Sequence, residues 1–126
     1  MDFANGASKK QKRSNIKNDI IIEKYAWRAK LIDGKKDEYI KRHDEIWNEM
    51  KVVLNEAGIK NYTIWCDGDD LFGYYECEKG LEYASKVQTE SEVVKRWNAY
   101  MKDVMFMPLD KKTGVQPHLE KVFEFN

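Results

Sequence analysis

Residues 59–77, IKNYTIWCDGDDLFGYYEC, decide the fold. Two runs rich in β-branched and aromatic side chains, residues 59–66 and 71–77, flank the polar segment Asp67-Gly68-Asp69-Asp70. An Asp-Gly pair between two such runs is typical of a β-hairpin turn. The middle of the chain is therefore predicted to be a hairpin.

Helical patterns lie on both sides of this hairpin. Before it, residues 35–57 carry apolar side chains at spacings of three, four and seven, and Gly58 follows as a natural C-terminal stop. After it, one helix is predicted from Gly80 to about Val87, and a second helical stretch follows that Pro108 ends. We therefore expect one long helix before the hairpin and a divided helical unit after it.

The outermost segments have the pattern of strands. Residues 23–32, EKYAWRAKLI, alternate between apolar and polar positions, and residues 118–125, HLEKVFEF, follow a polar loop near the end of the chain. The complete order is β-α-β-β-α-β, which is the ferredoxin-like split βαβ pattern of the α+β class. We expect an antiparallel sheet with the helices on one face. The other face would then lack a cover within the subunit, which favours a homodimer in the form of a dimeric α+β barrel.

Length and charge limit the classes of function. A chain of 126 residues is the size of one domain. The 22 basic and 22 acidic side chains cancel, which argues against a polybasic nucleic-acid binder, and no segment approaches a transmembrane span. Residues 1–22 hold five basic and two acidic side chains, and we interpret them as a flexible basic tail that precedes a folded domain over residues 23–126.

His43 is the first candidate for chemistry. It lies within the apolar stripe of the long predicted helix, and Tyr39 lies four residues earlier on the same face. Histidine changes its charge closest to neutral pH, so this pair suits proton transfer in a small-molecule site. The alternative interpretation is a hydrogen-bonded histidine at the edge of the core.

Trp97 is the second candidate. A tryptophan ring can stack on the apolar face of a sugar, and Tyr62, Arg96 and Asn98 could supply polar partners to its hydroxyls. The alternative is that Trp97 fills the core of an amphipathic helix and that Tyr62 points into it. Glu49 and Glu76 could approach such a site, but the sequence does not place them.

Several kinds of cofactor site have no support in the sequence. There is no GxGxxG or P-loop motif for a nucleotide, and two histidines are too few for a multi-histidine metal site within one subunit. Cys66 and Cys77 lack metal-ligand spacing, and we interpret them as two buried thiols of an intracellular protein.

Four segments, in order, resemble the L-rhamnose mutarotase family. Its signature Y-x-x-R-H-x-x-I-W-x-E is matched from Tyr39 to Glu49, and its G-x-x-N-Y-x-I segment from Gly58 to Ile64. Its R-W-x-x-Y-M-x-D-x-M segment is matched from Arg96 to Met105. The chain also resembles the family's L-x-E-V-F ending, with Leu119, Val122 and Phe123 at the matching positions.

The resemblance implies a cytoplasmic, cofactor-free, dimeric α+β barrel. Such an enzyme interconverts the α and β anomers of a 6-deoxy-hexose, so its partners would be a small sugar and a second copy, with no nucleic acid or membrane. It implies that His43 is the proton donor and that Tyr39, Tyr62 and the region of Trp97 and Asn98 bind the sugar.

The chain also departs from the family. Asn98 stands where the family often has a second Trp, Asn48 where it often has Pro, and Pro108-Leu109-Asp110 where it often has Asn-Pro-Asp. The first difference removes one stacking surface beside the sugar, so L-fucose is an alternative substrate to L-rhamnose. Two further alternatives are a non-catalytic sugar-binding barrel and a haem-binding barrel.

Overall fold

The computed structural model describes residues 22–108 and 118–126. The predicted tail, apart from its last residue, and the predicted polar loop at 109–117 lie outside the described residues. The elements, in chain order, are β1 (Glu23–Leu31), α1 (Lys36–Asp44), α2 (Asn48–Glu56), β2 (Ile59–Asp67), β3 (Asp70–Cys77), α3 (Leu81–Thr89), α4 (Glu92–Tyr100), a 3-10 helix (Met101–Asp103) and β4 (Met105–Phe106).

The four strands form one sheet in the order β2-β3-β1-β4, and every neighbouring pair is antiparallel. This order and the helices on one face confirm the predicted ferredoxin-like α+β fold. Alternate residues of the two central strands are buried on the helical side, as the period of two requires. In the register of β1 and β3, Trp27 lies opposite Gly73 and Ala29 opposite Leu71.

A β-bulge interrupts β2. Lys60 pairs with Glu76 and Thr63 with Tyr74, so two residues of β2 face one residue of β3. Asn61 has a φ of 51°, and its side-chain amide donates to Glu76 at 2.9 Å. Asparagine accepts this left-handed conformation more readily than most residues. Because the bulge adds one residue, Tyr62 and Ile64 join Ile59 on the helical face of the sheet.

The helix predicted over residues 35–57 is wrong as a single element. It is divided into α1 and α2 at Glu45, Ile46 and Trp47, and Trp47 is extended, with φ −60° and ψ 140°. The extended residue redirects the chain, and its indole packs edge-on against Trp97, with ring centroids 5.1 Å apart. Burial of this aromatic pair is the tertiary gain that outweighs local helix propensity.

The end of the chain also differs from the prediction. The helix predicted to run to Pro108 ends at Tyr100, and Met105 belongs instead to β4, which pairs with Lys30 and Leu31. The strand predicted over residues 118–125 is reduced to one bridge between His118 and Trp27, and the residues after it have no regular structure. The edge of β1 is therefore paired in two short pieces, because β4 already covers its last residues.

Both cysteines are free, but only Cys77 is buried. Burial raises the pKa of the Cys77 thiol to about 11. Cys66 is exposed, contrary to the prediction. It shares the face of Tyr62 and Ile64, and it lies against a cavity rather than beneath a helix.

Candidate active site

A cavity of about 1550 Å³ lies over the helical face of the sheet. Its walls come from α1 on one side, α4 on another, and β1 and β2 below. All five residues that the sequence singled out for the site line it, namely Tyr39, His43, Tyr62, Trp97 and Asn98. The cavity exceeds the roughly 300–1,000 Å³ of common ligand pockets, so a monosaccharide has ample room.

His43 presents one ring nitrogen to this cavity. Its Nδ1 lies 3.0 Å from the carbonyl oxygen of Tyr39, one helical turn earlier. A carbonyl oxygen can only accept, so Nδ1 carries a hydrogen and Nε2 is the nitrogen left for a ligand. Burial lowers the pKa of His43, although the hydrogen bond to Tyr39 and the nearby Asp44 carboxylate oppose that shift.

Two aromatic rings fix the imidazole of His43. The ring of Tyr39 lies 4.3 Å away from it on the same helix, and the indole of Trp97 meets it edge-on at 5.5 Å. Tyr39 is only 5% exposed, and burial raises the pKa of its phenol, so the hydroxyl stays protonated at neutral pH. The imidazole of His43 therefore lies between two aromatic rings at the edge of the cavity.

Trp97 has a mixed role in the structure. It is only 8% exposed and packs against Trp47 and Tyr100 as part of the core. It nevertheless lines the cavity beside Asn98, which is exposed. Most of the Trp97 indole is therefore buried in the core, and only a small part of its surface can contact a ligand in the cavity.

Tyr62 reaches the cavity from β2. Its hydroxyl oxygen accepts a hydrogen bond from Nε1 of Trp27 at 3.2 Å, and its ring packs on Tyr75 with centroids 4.9 Å apart. Burial raises the pKa of the Tyr62 phenol. The sequence reasoning missed Trp27, because this contact depends on the register of β1, β3 and β2 and on the small residue Gly73 between them.

Three polar residues that were considered for the site lie elsewhere. Arg96 pairs with Glu49 at 3.1 Å, and its guanidinium lies 5.8 Å from the centre of the Trp47 ring. Glu76 bonds with Asn61 and Tyr74. None of Arg96, Glu49 and Glu76 lines the cavity.

Arg42 is a second residue that the sequence reasoning missed. It lies on α1 between Tyr39 and His43, yet its side chain reaches across to the end of α4. Its guanidinium donates to the Tyr100 carbonyl at 2.7 Å and to the Asp103 carboxylate at 2.8 and 3.2 Å, and Nε donates to Glu38 at 2.8 Å. It also lies 4.3 Å from the centre of the Tyr100 ring. The helix of His43 and the helix of Trp97 are thereby joined by a charged side chain.

Two negative findings apply to the described part of the chain. Over residues 22–108 and 118–126, no group of three His, Cys, Asp or Glu side chains is placed to hold a metal ion. No helix in those ranges is long and apolar enough to cross a membrane.

Comparison with known proteins decides the family. A family model described as L-rhamnose mutarotase matches residues 24–125. The chain belongs to the L-rhamnose mutarotase family. Members of this family catalyse epimerisation at C1 of a sugar, so the chain is an isomerase.

Individual L-rhamnose mutarotases agree with this assignment. The one from Agrobacterium fabrum is 43% identical over 84 residues, which cover 67% of this chain and 78% of that protein. The one from Lachnoclostridium phytofermentans is 37% identical over 103 residues, covering 80% and 96%. A crystal structure of the L-rhamnose mutarotase from Formosa agariphila superposes with a TM-score of 0.67 at 31% identity, and the match covers 82% of this chain and 99% of that one.

Proposed function

We propose that the chain interconverts the α and β anomers of L-rhamnose, with L-fucose as the alternative 6-deoxy sugar. The observation that carries the proposal is the placement of His43, whose Nδ1 is held by the Tyr39 carbonyl while the ring lines a cavity with Tyr62 and Trp97. This arrangement offers one titratable nitrogen to a small polar ligand. The identity of the sugar is inferred from the relatives, which are named L-rhamnose mutarotases.

The proposed reaction opens and closes the sugar ring. Protonated His43 donates the hydrogen on Nε2 to the ring oxygen, the bond between C1 and that oxygen breaks, and the anomeric hydroxyl loses its proton to water as C1 becomes a carbonyl. Rotation about the C1–C2 bond turns the other face of the carbonyl to the oxygen. Closure by the reverse proton transfers gives the second anomer. A lowered pKa supports the donor role, because it makes the protonated imidazole a stronger acid.

The remaining site residues are proposed to bind the sugar. Tyr39 and Tyr62 would orient its hydroxyls, and the open part of Trp97 would contact its apolar face. Asn98 is exposed at the cavity wall, where an amide can both donate to and accept from a hydroxyl. A polar residue at this position favours hydroxyl contacts over stacking, so the preference between the two sugars is proposed to depend on Asn98.

The experiment is saturation-transfer NMR of anomer exchange on L-rhamnose and L-fucose. We expect purified protein to raise the exchange rate of at least one sugar well above the rate in buffer. Exchange rates that stay at the buffer value for both sugars would disprove the proposal. Binding of either sugar without faster exchange would favour the sugar-binding alternative.

We propose further that the enzyme is a homodimer formed through the sheet face opposite the helices. On that face, Trp65 is 67% exposed and lies directly opposite Phe72, which is 37% exposed. Phe123 and Phe125, near the end of the chain, are exposed apolar side chains as well. An apolar surface of this kind is typical of an interface, and a second copy offers a surface of the same chemistry.

We propose a cytoplasmic location as well. The two free thiols support it, since disulfides are rare in a reducing compartment.

A further inference from the structure

The indole of Trp27 crosses the sheet from β1 towards β2. Gly73 lies opposite it on the strand between them, and the contact there is very close. A Cβ atom placed on Gly73 would lie 2.0 Å from Cε2 of Trp27 and 2.4 Å from its Nε1. Real Cβ atoms do not approach other atoms that closely, so the absence of a side chain at Gly73 is what allows the indole to lie across β3.

The far edge of this indole contacts Tyr62. Trp27 is 5% exposed, and its Nε1 donates to the Tyr62 hydroxyl oxygen at 3.2 Å. An indole N–H can only donate, so Tyr62 must be the acceptor in this hydrogen bond. A phenol that accepts through its oxygen keeps its own hydrogen for another partner. The Tyr62 ring is also held from the side by Tyr75.

From this geometry we infer that Trp27 is a positioning residue that fixes Tyr62 as a hydrogen-bond donor to an oxygen of the bound sugar. The inference rests on the proposed function, because it takes a sugar as the ligand of the cavity. It adds the direction of the hydrogen bond between Tyr62 and the sugar. Tyr62 gives a hydrogen bond to the sugar, and the sugar oxygen accepts it.

The chemistry of the cavity is consistent with this direction. Burial raises the pKa of Tyr62, so the phenol keeps its hydrogen across the neutral range. Without the indole, the phenol could rotate its hydrogen and act as an acceptor from a sugar hydroxyl instead. The Trp27 N–H occupies one acceptor position of the Tyr62 oxygen and so favours donation by the phenol. Trp27 also lines the cavity, but it is only 5% exposed, so its main contact with the site is through Tyr62.

The test is a double-mutant cycle of Trp27→Phe, Tyr62→Phe and both together, with anomer exchange measured over a range of sugar concentrations. A neutral hydrogen bond has a net value of about 0.5–1.5 kcal/mol, which corresponds to roughly a 2- to 13-fold change in affinity. We expect Trp27→Phe to raise KM within that range while kcat changes little. In the Tyr62→Phe background, Trp27→Phe should change KM no further, since the phenol through which it acts is gone. A merely structural role of Trp27 would change KM equally in both backgrounds, and that result would overturn the inference.

A measurement on the unmodified protein tests the inference without depending on whether the variants fold. The Trp27 indole N–H resonance should shift when L-rhamnose or L-fucose is added, because the phenol that accepts from it becomes engaged. A resonance that does not move at saturating sugar would overturn the inference even if Trp27→Phe failed to fold. An unmodified protein that converts the sugar, together with unchanged KM in Trp27→Phe, would refute only the role of Trp27. A protein that neither binds nor converts either sugar would refute the proposed function and the inference together.

Discussion

At the scale of single residues, His43 is the group on which the proposed chemistry depends. Replacement by Ala removes the nitrogen that would donate to the ring oxygen while leaving α1 free to form. General acid catalysis of this kind contributes about 10²–10⁴-fold. We therefore expect His43→Ala to lower kcat for anomer exchange by about that factor, measured by saturation-transfer NMR. A circular-dichroism melting curve close to that of the unmodified protein would show that the fold is intact. Full activity in this variant would remove His43 from the mechanism.

The pH dependence follows from the same residue. Burial lowers the pKa of His43 below its ordinary value of 6.5. The protonated form is the donor, and it is lost as the pH rises through that lowered pKa. We therefore expect kcat, after subtraction of the rate in buffer, to fall as the pH rises, with its midpoint below 6.5. A rate that falls on acidification instead would assign Nε2 as a base and contradict the donor role.

The sequence predicts some of these residues and not others, for a physical reason. Tyr39 and His43 share a helix, so a spacing of four places them together before any tertiary structure is known. Trp27 and Tyr62 are 35 positions apart, and their contact depends on two strand registers and one glycine. Local patterns contain no information about such a contact, so the sequence named Tyr62 as a possible sugar partner or core residue but could not find the hydrogen bond from Trp27.

At the scale of elements, the pairing of β1 with β3 depends on Gly73. A methyl group at this position would lie 2.0 Å from the Trp27 ring, so either the β3 strand or the indole would have to move. Overpacking of a core costs about 1–3 kcal/mol. We expect Gly73→Ala to lower the free energy of unfolding by about that amount in urea titrations. Gly68→Asn is the comparison variant, because Gly68 has open space around it and a φ of 62° that Asn tolerates. An equal loss of stability in both variants would contradict the steric explanation.

The connection between α1 and the end of α4 depends on Arg42. Its guanidinium donates hydrogen bonds to the Tyr100 carbonyl and to the carboxylates of Asp103 and Glu38. Arg96, by contrast, pairs with one carboxylate, and its side chain is 55% exposed. We expect Arg42→Met to lower Tm by more than Arg96→Met, since only the first leaves several acceptors without a donor. Differential scanning calorimetry of the two variants would measure the difference. An equal or larger effect of Arg96→Met would show that the number of acceptors does not decide the stability.

The order of elements is more predictable than their limits. Alternation in β1 and the Asp-Gly turn of the hairpin are local signals, and both strands and turn are found in the structure. The break at Trp47 is not local. It is favoured by contact with Trp97, which lies 50 positions later and on a different helix. For the same reason, β4 at Met105–Phe106 could not be read from its two residues, because its pairing with β1 is what makes it a strand.

At the scale of the whole molecule, the uncovered sheet face leads to a prediction about assembly. Trp65→Lys places a charge at the centre of the exposed apolar face, where a second copy is proposed to pack. We expect this variant to elute as a monomer in size-exclusion chromatography with light scattering, at concentrations where the unmodified protein is a dimer. Tyr83→Lys is the matched control, because Tyr83 is an aromatic residue of α3 with 44% exposure. A dimer in both variants would exclude this face as the interface.

The extra residue at Asn61 has a consequence for the whole strand. Side chains of a regular strand alternate between the two faces of the sheet. The bulge in β2 moves this alternation by one residue, so the residues after it face the opposite way from what an uninterrupted count would give. After the bulge, Tyr62, Ile64 and Cys66 face the cavity, whereas Thr63 and Trp65 face the side where the partner subunit is proposed to pack. Because Asn61 is the additional residue, a β2 strand without it would pair regularly, with Tyr62 opposite Tyr75 and Thr63 opposite Tyr74, and each side chain would keep its face. What matters is therefore where the bulge lies along β2. If it formed after Tyr62 instead of before it, Tyr62 would face away from the cavity, so the position of one irregularity in the strand connects ligand recognition with the proposed assembly.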